Sequence, residues 1–563
     1  MTRLFAIVFA FLAFTATTSA QTRSQQEVKQ IALQKLQKLH GIDGSQHRAQ
    51  DLNAVEVLKQ DPMYTILGSD NLGFVVVSNN QHIRPVLAYS DQFFDFNDIP
   101  CGMKWWLNAI SHVLARDLAV GKTDNALSHR APKSRVEPLL TSKWNQKDPY
   151  NKKCPAVDDK GTLPPSGCVA TALAQVLYYH KYPDSSEGEG YYTISGGSTQ
   201  YPVVLNSTYD WTLYDDEYVS SLFLPDEKKE AIAQLLYDCG VAVHMNYDAK
   251  SSGAILSRIG TALSHNFKCD SLAVRALERR FCQNEEWMQL VRAELEAGRP
   301  ILYGGQDVTE GGHAFVLHGI DEEDNVYVNW GWSGKGDCWT SIDLLMPDGD
   351  KSSFSEDQDM VIGLRKDPVP TEEEKYVSSW GVTVAETLSQ SLFKRLQVSD
   401  FTAFNIHHLT FYGTMGLYFE KTDGSECYLQ PFLDTSKDVK PVQSGTGYSF
   451  NSSEHLLAEL SVGTYYAYLA SKANQESTFQ PLKQVGGKYN LYTITIHEDR
   501  SVTIDNKEEV DHVPVPTAIQ ALTATQSDAS ARFFDLQGRE VTPETKGLLI
   551  RKQGNEVKKV IVR

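Results

Sequence analysis

The sequence has few cysteines for its length. Eight cysteines stand among 563 residues, and no two of them form a C-x2-C pair. A dense disulfide framework is therefore not expected, and neither is a zinc site built on short cysteine spacings. We expect no bound metal, and at least one cysteine is available for chemistry.

Basic side chains are outnumbered by acidic ones. The chain has 53 lysines and arginines against 71 aspartates and glutamates, a net charge of −18. A surface of this sign repels nucleic-acid phosphates and anionic lipid surfaces, so no nucleic acid is expected as a partner. With 41% hydrophobic residues the composition is globular, and the length allows about three to four domains.

Several familiar catalytic motifs are missing. The sequence contains no H-E-x-x-H and no G-x-S-x-G, and Gly121-Lys122-Thr123 lacks the earlier glycine of a phosphate-binding loop, because Arg116 stands at that position. Metallopeptidase, serine hydrolase and nucleotidase functions are therefore disfavoured. No cofactor is expected.

Long hydrophobic runs are also missing, and the longest lies at the start of the chain. Leu4 to Phe14 is an unbroken apolar run of eleven residues, preceded by Arg3 and followed by Thr18-Ser19-Ala20. The run is short of the roughly 20 residues that cross a bilayer. We interpret residues 1–20 as a cleaved signal peptide, so the protein is expected outside the cytoplasm with no transmembrane anchor.

The remaining chain divides at changes of pattern. Ser24 and Glu27 form a capping box that opens a helix, and short strands follow at 64–67, 73–78 and 86–89. A helix over 103–118 leads into an apolar-poor linker over 121–135. The predicted units are a small α+β region (21–135), the largest domain (136–366), an all-β module of sandwich type (371–512) and a short tail (517–563).

Cys168 is the sharpest local feature. It opens a predicted amphipathic helix with apolar residues at Val169, Ala172, Leu173, Val176 and Leu177. The positive end of the helix dipole favours a thiolate, and Gly167 leaves room for a substrate backbone. A buried or disulfide-bonded cysteine is the plainer alternative.

His313 is the best candidate for the imidazole that a thiolate nucleophile needs. Gly311 and Gly312 precede it at the mouth of a predicted strand, and a returning strand brings Asn329 and Trp330 towards the same end. An amide at Asn329 could accept from the imidazole N–H and fix its tautomer, with tryptophans shielding that bond. His318 and His180 are interpreted as structural.

Four motifs in order carry a family resemblance. They are Trp144-Asn145-Gln146, Gly167-Cys168-Val169-Ala170-Thr171-Ala172, Gly312-His313-Ala314-Phe315-Val316 and Val328-Asn329-Trp330-Gly331-Trp332. Together they resemble the streptopain family of secreted bacterial cysteine peptidases. The resemblance covers about 136–364, and 23–129 is similar to that family's inhibitory propeptide. It implies an α+β fold with a papain-like catalytic domain.

The resemblance also implies roles for single residues. Cys168 is then the nucleophile, His313 its base and acid, and Gln146 the side-chain donor of the oxyanion hole. Whether Asn329 or the adjacent Trp330 orients His313 stays open. Substrate binding by backbone is implied at Ser252, Gly253, Ala254 and Gly312, with Ala254 standing where some members carry serine.

The tail carries a second, shorter resemblance. Phe533-Phe534-Asp535-Leu536-Gln537-Gly538-Arg539 and the last predicted hairpin are similar to the C-terminal sorting domain of proteins exported by the type IX system of Bacteroidetes. It implies recognition by outer-membrane secretion machinery and a place outside a Gram-negative cell or on its surface. A plain β-hairpin at the chain end is the alternative.

The combined interpretation is a secreted cysteine endopeptidase made as a zymogen, acting on proteins or peptides through a thioester acyl-enzyme. Two alternatives remain open at this point. A Cys-His-Asn site also suits transglutaminase or amidase chemistry, and a surface adhesin could carry an inert peptidase domain. Loss of Cys168 or His313 would mark the adhesin, and both residues are present.

Overall fold

The structure is a computed structural model of the chain. It describes residues 22–41, 55–119, 133–218, 223–271, 273–307, 311–342, 358–365, 380–382, 388–390, 396–398, 401–406, 409–436, 441–443, 446–450, 453–455, 459–474, 479–513, 532–534, 540–541, 547–553 and 556–562. The predicted signal peptide, most of the linker and the boundaries on either side of 371 and 517 lie outside these residues.

The N-terminal region folds as the sequence predicts. Helix α1 (Gln25–Leu39) begins at Ser24, whose side chain accepts from the Glu27 N–H while the Glu27 carboxylate accepts from the Ser24 N–H, so the capping box is confirmed. The predicted strands and the second helix are present, and one exposed strand is added. The elements are β1 (Glu56–Gln60), β2 (Tyr64–Ser69), β3 (Gly73–Ser78), β4 (Val86–Ser90) and α2 (Cys101–Ala119).

These N-terminal strands do not form a sheet of their own. They continue a ten-stranded sheet in the order β1-β2-β3-β4-β12-β11-β10-β9-β13-β8. The junction pairs Tyr89 of β4 with Trp339 of β12. The other strands are β8 (Arg275–Glu278), β9 (Ile301–Asp307), β10 (Gly311–Ile320), β11 (Val326–Asn329), β12 (Cys338–Thr340) and β13 (Gln358–Ile362).

Helices cover both faces of this sheet. Because side chains alternate along a strand, Ala314 and Val316 of β10 pack into one core with helix α3 (Cys168–His180), while Phe315 and Leu317 pack into another with α2. The first core also holds α4 (Asp226–Ala242) and α5 (Arg258–His265), and the second holds α6 (Asn284–Glu296). A small sheet beside α4 contains β5 (Glu189–Ile194), β6 (Tyr201–Val204) and β7 (Asn246–Tyr247).

The region after residue 379 is all-β in its described residues. Its core takes residues from several sheets, among them Leu396, Ala403 and Leu417. The strands are β14 (Trp380–Val382), β15 (Leu388–Gln390), β16 (Leu396–Val398), β17 (Phe401–Asn405), β18 (Gly413–Lys421), β19 (Cys427–Asp434), β20 (Gly447–Phe450), β21 (Ser453–His455), β22 (Gly463–Ala473), β23 (Gln480–Pro481), β24 (Lys483–Gln484), β25 (Tyr489–Ile496) and β26 (Val502–Val510).

The tail forms a four-stranded sheet of its own, in the order β28-β27-β29-β30. Its strands are β27 (Arg532–Phe534), β28 (Glu540–Val541), β29 (Gly547–Gln553) and β30 (Glu556–Val562). The predicted last hairpin is present as the antiparallel pair β29 and β30. Among the helices that the structure describes, none is long and apolar enough to cross a membrane. The mixed helix-and-sheet fold class is confirmed.

Candidate active site

Cys168 is the first residue of α3, as the sequence predicts. The residue before it, Gly167, has φ 93°, a conformation in which a side chain is strained. A Cβ at Gly167 would also lie 2.6 Å from Met245 Cε. Only glycine therefore fits at the turn that aims Cys168 into the cleft, while residues 169–178 behind it are buried.

The Cys168 thiol is surrounded by backbone N–H groups. The Ala314 N–H of β10 donates to Cys168 Sγ at 3.4 Å. Burial raises the pKa of the thiol, and the N–H groups of Ala314, Val169 and Cys168 itself oppose that rise by stabilising the thiolate. The helix start alone therefore does not lower the pKa below its ordinary value, because burial outweighs it.

His313 lies in β10, where it pairs with Gly305 of β9. Cys168, Gly312 and His313 together line two cavities. The first, of about 360 Å³, is the strand-side cavity, bounded by 253–256, 278, 280, 304–305 and 358–359. The second, of about 670 Å³, is the loop-side cavity, bounded by 101, 145–148, 151, 163, 165, 249–252 and 332. The thiol and the imidazole thus share a cleft open on two sides.

Gln146 stands in the wall of the loop-side cavity, together with Cys168. Its backbone carbonyl accepts from the Ser166 N–H at 2.9 Å, and its own N–H donates to Asn145 Oδ1 at 2.6 Å. Because Ser166 lies two residues before Cys168, the first of these bonds fixes the loop of Gln146 against the start of α3. Only 8% of the Gln146 surface is exposed.

Asn329 is buried at the end of β11, with its amide fully engaged. Its Nδ2 donates to the Ser142 carbonyl at 2.8 Å and to Gln175 Oε1 at 3.2 Å. Its Oδ1 accepts from Gln175 Nε2 at 3.1 Å and from the Gly331 N–H at 2.9 Å. An amide has two donor hydrogens and two acceptor lone pairs, so these partners fill it.

Trp330 is likewise engaged by groups other than His313. Its indole Nε1 donates to the Gly336 carbonyl at 2.9 Å, and its backbone N–H donates to Asp337 Oδ1 at 3.0 Å. Its ring lies 4.8 Å from that of Phe315. Burial raises the pKa of Asp337 to about 7, with the Trp330 N–H acting against the rise.

The predicted substrate-binding residues lie along the same cleft. Gly253 and Ala254 line the strand-side cavity, Ser252 lines the loop-side cavity and Gly312 lines both. The Gly253 N–H donates to the Asn246 carbonyl at 3.1 Å, and the Gly253 carbonyl accepts from the Asn246 N–H at 2.9 Å. The structure therefore brings these four residues to the cleft of Cys168, His313 and Gln146, whereas Asn329 and Trp330 line neither cavity.

Sequence reasoning missed two residues at this site. Gln175 is a buried polar residue on a mostly apolar helix, a pattern that marks an interior hydrogen-bonding position. Cys101, in the N-terminal region, lines the loop-side cavity with Cys168. The sequence carries no local signal for that contact. His318, interpreted as structural, is buried with its pKa lowered to about 3, and its Nδ1 accepts from the Leu140 N–H at 3.0 Å.

Metal ligands do not gather in the part of the chain that the structure describes. No group of three or more histidines, cysteines, aspartates or glutamates there is placed to hold an ion.

Comparison with known protein families separates two regions of the chain. A model described as Peptidase C10 family matches residues 144–339, and one described as Spi protease inhibitor matches residues 12–114. The solved structure of a prointerpain A fragment from Prevotella intermedia is 34% identical, with a TM-score of 0.50, and the match covers 56% of this chain and 99% of that one. The chain belongs to the Peptidase C10 family. It is a cysteine peptidase made as a zymogen.

Two curated relatives agree with this family. Streptopain of Streptococcus pyogenes serotype M28 (strain MGAS6180) is 29% identical over 375 residues, which cover 61% of this chain and 92% of that protein. The thiol protease/hemagglutinin PrtT of Porphyromonas gingivalis is 28% identical over 317 residues, which cover 52% of this chain and 36% of that protein. The matched stretch takes in nearly all of that streptopain but only about a third of PrtT.

Proposed function

We propose that Cys168 and His313 are the catalytic pair of this peptidase. The thiolate attacks the scissile carbonyl carbon, and the imidazolium gives its proton to the leaving amine, which leaves a thioester on Cys168. Water then attacks the thioester while the imidazole takes its proton, which releases the acid product. The observation that carries the proposal is the placement of Cys168 at a helix start in the same cleft as His313.

Substitution of either residue tests the pair. Cys168→Ala and His313→Ala should each abolish hydrolysis of a denatured protein substrate while the circular dichroism spectrum of the purified protein is unchanged. Cys427→Ser, at an exposed cysteine of the all-β module, is the matched control and should keep full activity. Turnover by a folded Cys168→Ala protein would overturn the assignment. An amine-acceptor assay separates hydrolysis from transglutaminase chemistry.

Gln146 and the backbone N–H of Cys168 are proposed as the oxyanion hole. Their arrangement supports this, because the Gln146 loop is bonded to the segment just before Cys168. Such a donor stabilises the tetrahedral anion by about 2.7–4 kcal/mol in comparable sites. Asn329, whose amide is filled by Ser142, Gln175 and Gly331, is proposed to position the Gln146 loop and α3 rather than to contact His313 directly.

The substrate chain is proposed to lie along 252–254 and Gly312. Since the backbone groups of Gly253 are bonded to Asn246, Ser252 and Ala254 on either side of it are the candidates for pairing with a substrate backbone. Gly312 has open space where a side chain would be, with only the Gly305 carbonyl at 4.0 Å from its Cβ position. A substrate backbone could approach closely there.

Residues 21–135 are proposed as the inhibitory propeptide and 136–366 as the catalytic domain, with maturation near Lys133 and Arg135. The match of residues 12–114 to a protease-inhibitor family supports an inhibitory role. If the intact precursor hydrolysed a peptide as fast as the trimmed enzyme, the propeptide would not be an inhibitor.

Export is the remaining part of the proposal. The apolar run over 4–14 supports a signal peptide over residues 1–20, and the tail over 517–563 is proposed as a sorting domain read by outer-membrane secretion machinery of a Gram-negative cell. The all-β module over 371–512 would travel with the enzyme. Fractionation of a native host into periplasm, surface and medium tests this placement.

A further inference from the structure

A second thiol stands in the cleft of the proposed nucleophile. Cys101 is the first residue of α2, and it lines the loop-side cavity together with Cys168, His313, Gln146 and Trp332. It belongs to the N-terminal region, so it leaves the cleft when that region is removed. Two helices, α2 and α3, thus begin at cysteines in the wall of one cavity.

The electrostatics of Cys101 link it to Cys168. Burial raises the pKa of the Cys101 thiol to about 11, and the negative charge of the Cys168 thiolate is the next cause of the rise. The N–H groups of Cys101 and Gly102 and the Trp332 side chain act in the opposite direction. Charges interact strongly only when they are near one another, which agrees with the position of both cysteines in the wall of the loop-side cavity.

Packing along one face of α2 holds Cys101 in place, because Gly102 and Trp105 lie three residues apart on that face. A Cβ at Gly102 would lie 2.6 Å from Trp330 Cε3, so the helix start is pressed against that ring. One turn further on, the Trp105 ring would lie 2.0 Å from a Cβ at Gly305, next to the strand of His313. Each contact is possible only because the glycine, Gly102 or Gly305, has no side chain. A shift of α2 along the cleft would therefore break both contacts.

The other six cysteines contribute to neither cavity. Five are buried as free thiols, and Cys427 is exposed in the all-β module. Among the eight cysteines, Cys101 and Cys168 are therefore the two that line the loop-side cavity.

We propose that Cys101 and Cys168 form a disulfide in the precursor when a low-molecular-weight disulfide such as oxidised glutathione is present. One thiolate attacks the glutathione disulfide and releases one reduced glutathione. The other thiolate then attacks the protein sulfur of the mixed disulfide and releases the second. Two electrons pass from the protein thiols to glutathione, and the two protons leave on its thiols.

The consequence is a covalent latch on the zymogen. The disulfide removes the nucleophile from reaction and ties the N-terminal region into the cleft, so a precursor in an oxidising compartment stays inactive until a thiol reductant opens the bond. This inference rests on the proposed role of Cys168. It adds a reversible, redox-dependent level of control to the proposed proteolytic one.

The test uses the full-length precursor carrying His313→Ala, or His313→Gln should the first fail to fold, so that it does not process itself. After incubation with oxidised glutathione, the intact mass should fall by two hydrogens and a non-reducing peptide map should contain a Cys101–Cys168 pair. With Cys101→Ser added, the mass should instead rise by one glutathione on Cys168. Cys427→Ser is the control and should keep the cross-link.

Two results would count against the latch. They are a stable glutathione adduct on Cys168 while Cys101 stays a free thiol, and an unchanged mass of the precursor under conditions that oxidise a reference dithiol. Peptidase activity of the trimmed, reduced enzyme separates failure of the latch from failure of the proposed function. If the trimmed parent is active and its Cys168→Ala variant is inactive, the role of Cys168 stands whatever the peptide map shows.

Discussion

The Cys168 thiol has two opposing influences on its ionisation. Burial between α3 and β10 disfavours the thiolate, while three backbone N–H groups favour it, and burial is the larger. The precursor therefore holds its proposed nucleophile mainly as a thiol at neutral pH. Part of the wall around it, at Cys101, is supplied by the N-terminal region, so removal of that region changes the solvation of the sulfur.

Alkylation of Cys168 should depend on pH differently in the precursor and in the trimmed enzyme. Because the pKa is raised above its ordinary value of 9.0, labelling of the precursor by iodoacetamide should be slow at pH 7 and should accelerate as the pH rises past 9. Trimming hydrates the cleft and should shift the profile to lower pH. Mass spectrometry of the Cys168 peptide measures both rates, and superimposable profiles would contradict the argument.

Gln146→Ala should lower kcat without a comparable change in KM. The side-chain donor acts on the anion of the tetrahedral intermediate, so its loss should reduce kcat by roughly 10²–10³. Steady-state hydrolysis of a fluorogenic peptide measures both constants. Gln430→Ala, in β19 of the all-β module, is the control. A change confined to KM would place Gln146 in substrate binding instead.

At the scale of elements, three segments are joined by one pair of amides. Asn329 of β11 and Gln175 of α3 bond to each other, and Gln175 Oε1 also accepts from Ser142 Oγ at 2.9 Å and from the Trp144 N–H at 3.3 Å. These bonds fix the positions of α3, β11 and the segment before Gln146 relative to one another. All of these groups are buried, so each lost partner is costly.

Gln175→Ala and Asn329→Ala should be non-additive. Each single substitution leaves buried partners unsatisfied, at a cost of about 1–3 kcal/mol per group. The second substitution should cost less in the background of the first, with a coupling of roughly 0.5–3 kcal/mol. Urea unfolding of the peptidase domain measures the free energies. Gln175→Ala combined with Gln430→Ala should be additive, and additivity of the first pair would contradict the network.

The start of the proposed catalytic domain is held by an ion-pair cluster. Lys133 Nζ lies 2.8 Å from Asp324 Oδ2, and Arg292 Nη2 lies 2.7 Å from Asp324 Oδ1. The Val136 N–H donates to the Ile320 carbonyl at 2.8 Å. Only 4% of the Asp324 side chain is exposed, so this carboxylate is screened little by solvent.

Asp324→Asn should make the proposed maturation segment easier to cut. Without the carboxylate charge, Lys133 loses its ion pair and the segment opens more often. In a Cys168→Ala background, limited trypsin digestion should cleave after Lys133 and Arg135 several-fold faster than in the parent. Asp158→Asn, at an exposed aspartate, is the control. Equal cleavage rates would show that the cluster does not protect this segment.

At the scale of the whole molecule, the all-β module rests on the peptidase domain beside the cleft. The Gly486 N–H donates to the Arg280 carbonyl at 2.7 Å, and Lys483 forms an ion pair with Glu286. Arg280 lines the strand-side cavity, so the module supports one wall of the site. The tail sheet β27–β30 has no strand in common with either domain.

Deletion of residues 533–563 should leave peptidase activity intact but change where the protein goes. None of the described residues of the tail lines either cavity, so the purified, truncated enzyme should hydrolyse peptides at the parental rate. In its native host the truncated protein should accumulate in the periplasm. Normal appearance at the surface or in the medium would rule out the sorting role.

Features encoded by local pattern were predicted from the sequence. Three such features are present: the capping box at Ser24, the helix that starts at Cys168, and strand β10, which contains His313. The first two depend on residues three or four positions apart, and the strand depends on the alternation of side chains. The order of the four motifs was enough to indicate the family. These signals need no knowledge of which distant segments meet.

The sequence by itself thus determined the class of the enzyme, its candidate nucleophile and base, and the elements that carry them. Only the tertiary structure decided that the Asn329 amide is hydrogen-bonded to Gln175, 154 residues away. It also decided that the N-terminal strands extend the peptidase sheet and that Cys101 lines the same cavity as Cys168. Hydrogen-bond partners and shared cavities depend on how whole layers pack, and contacts between distant segments leave no periodic trace along the chain.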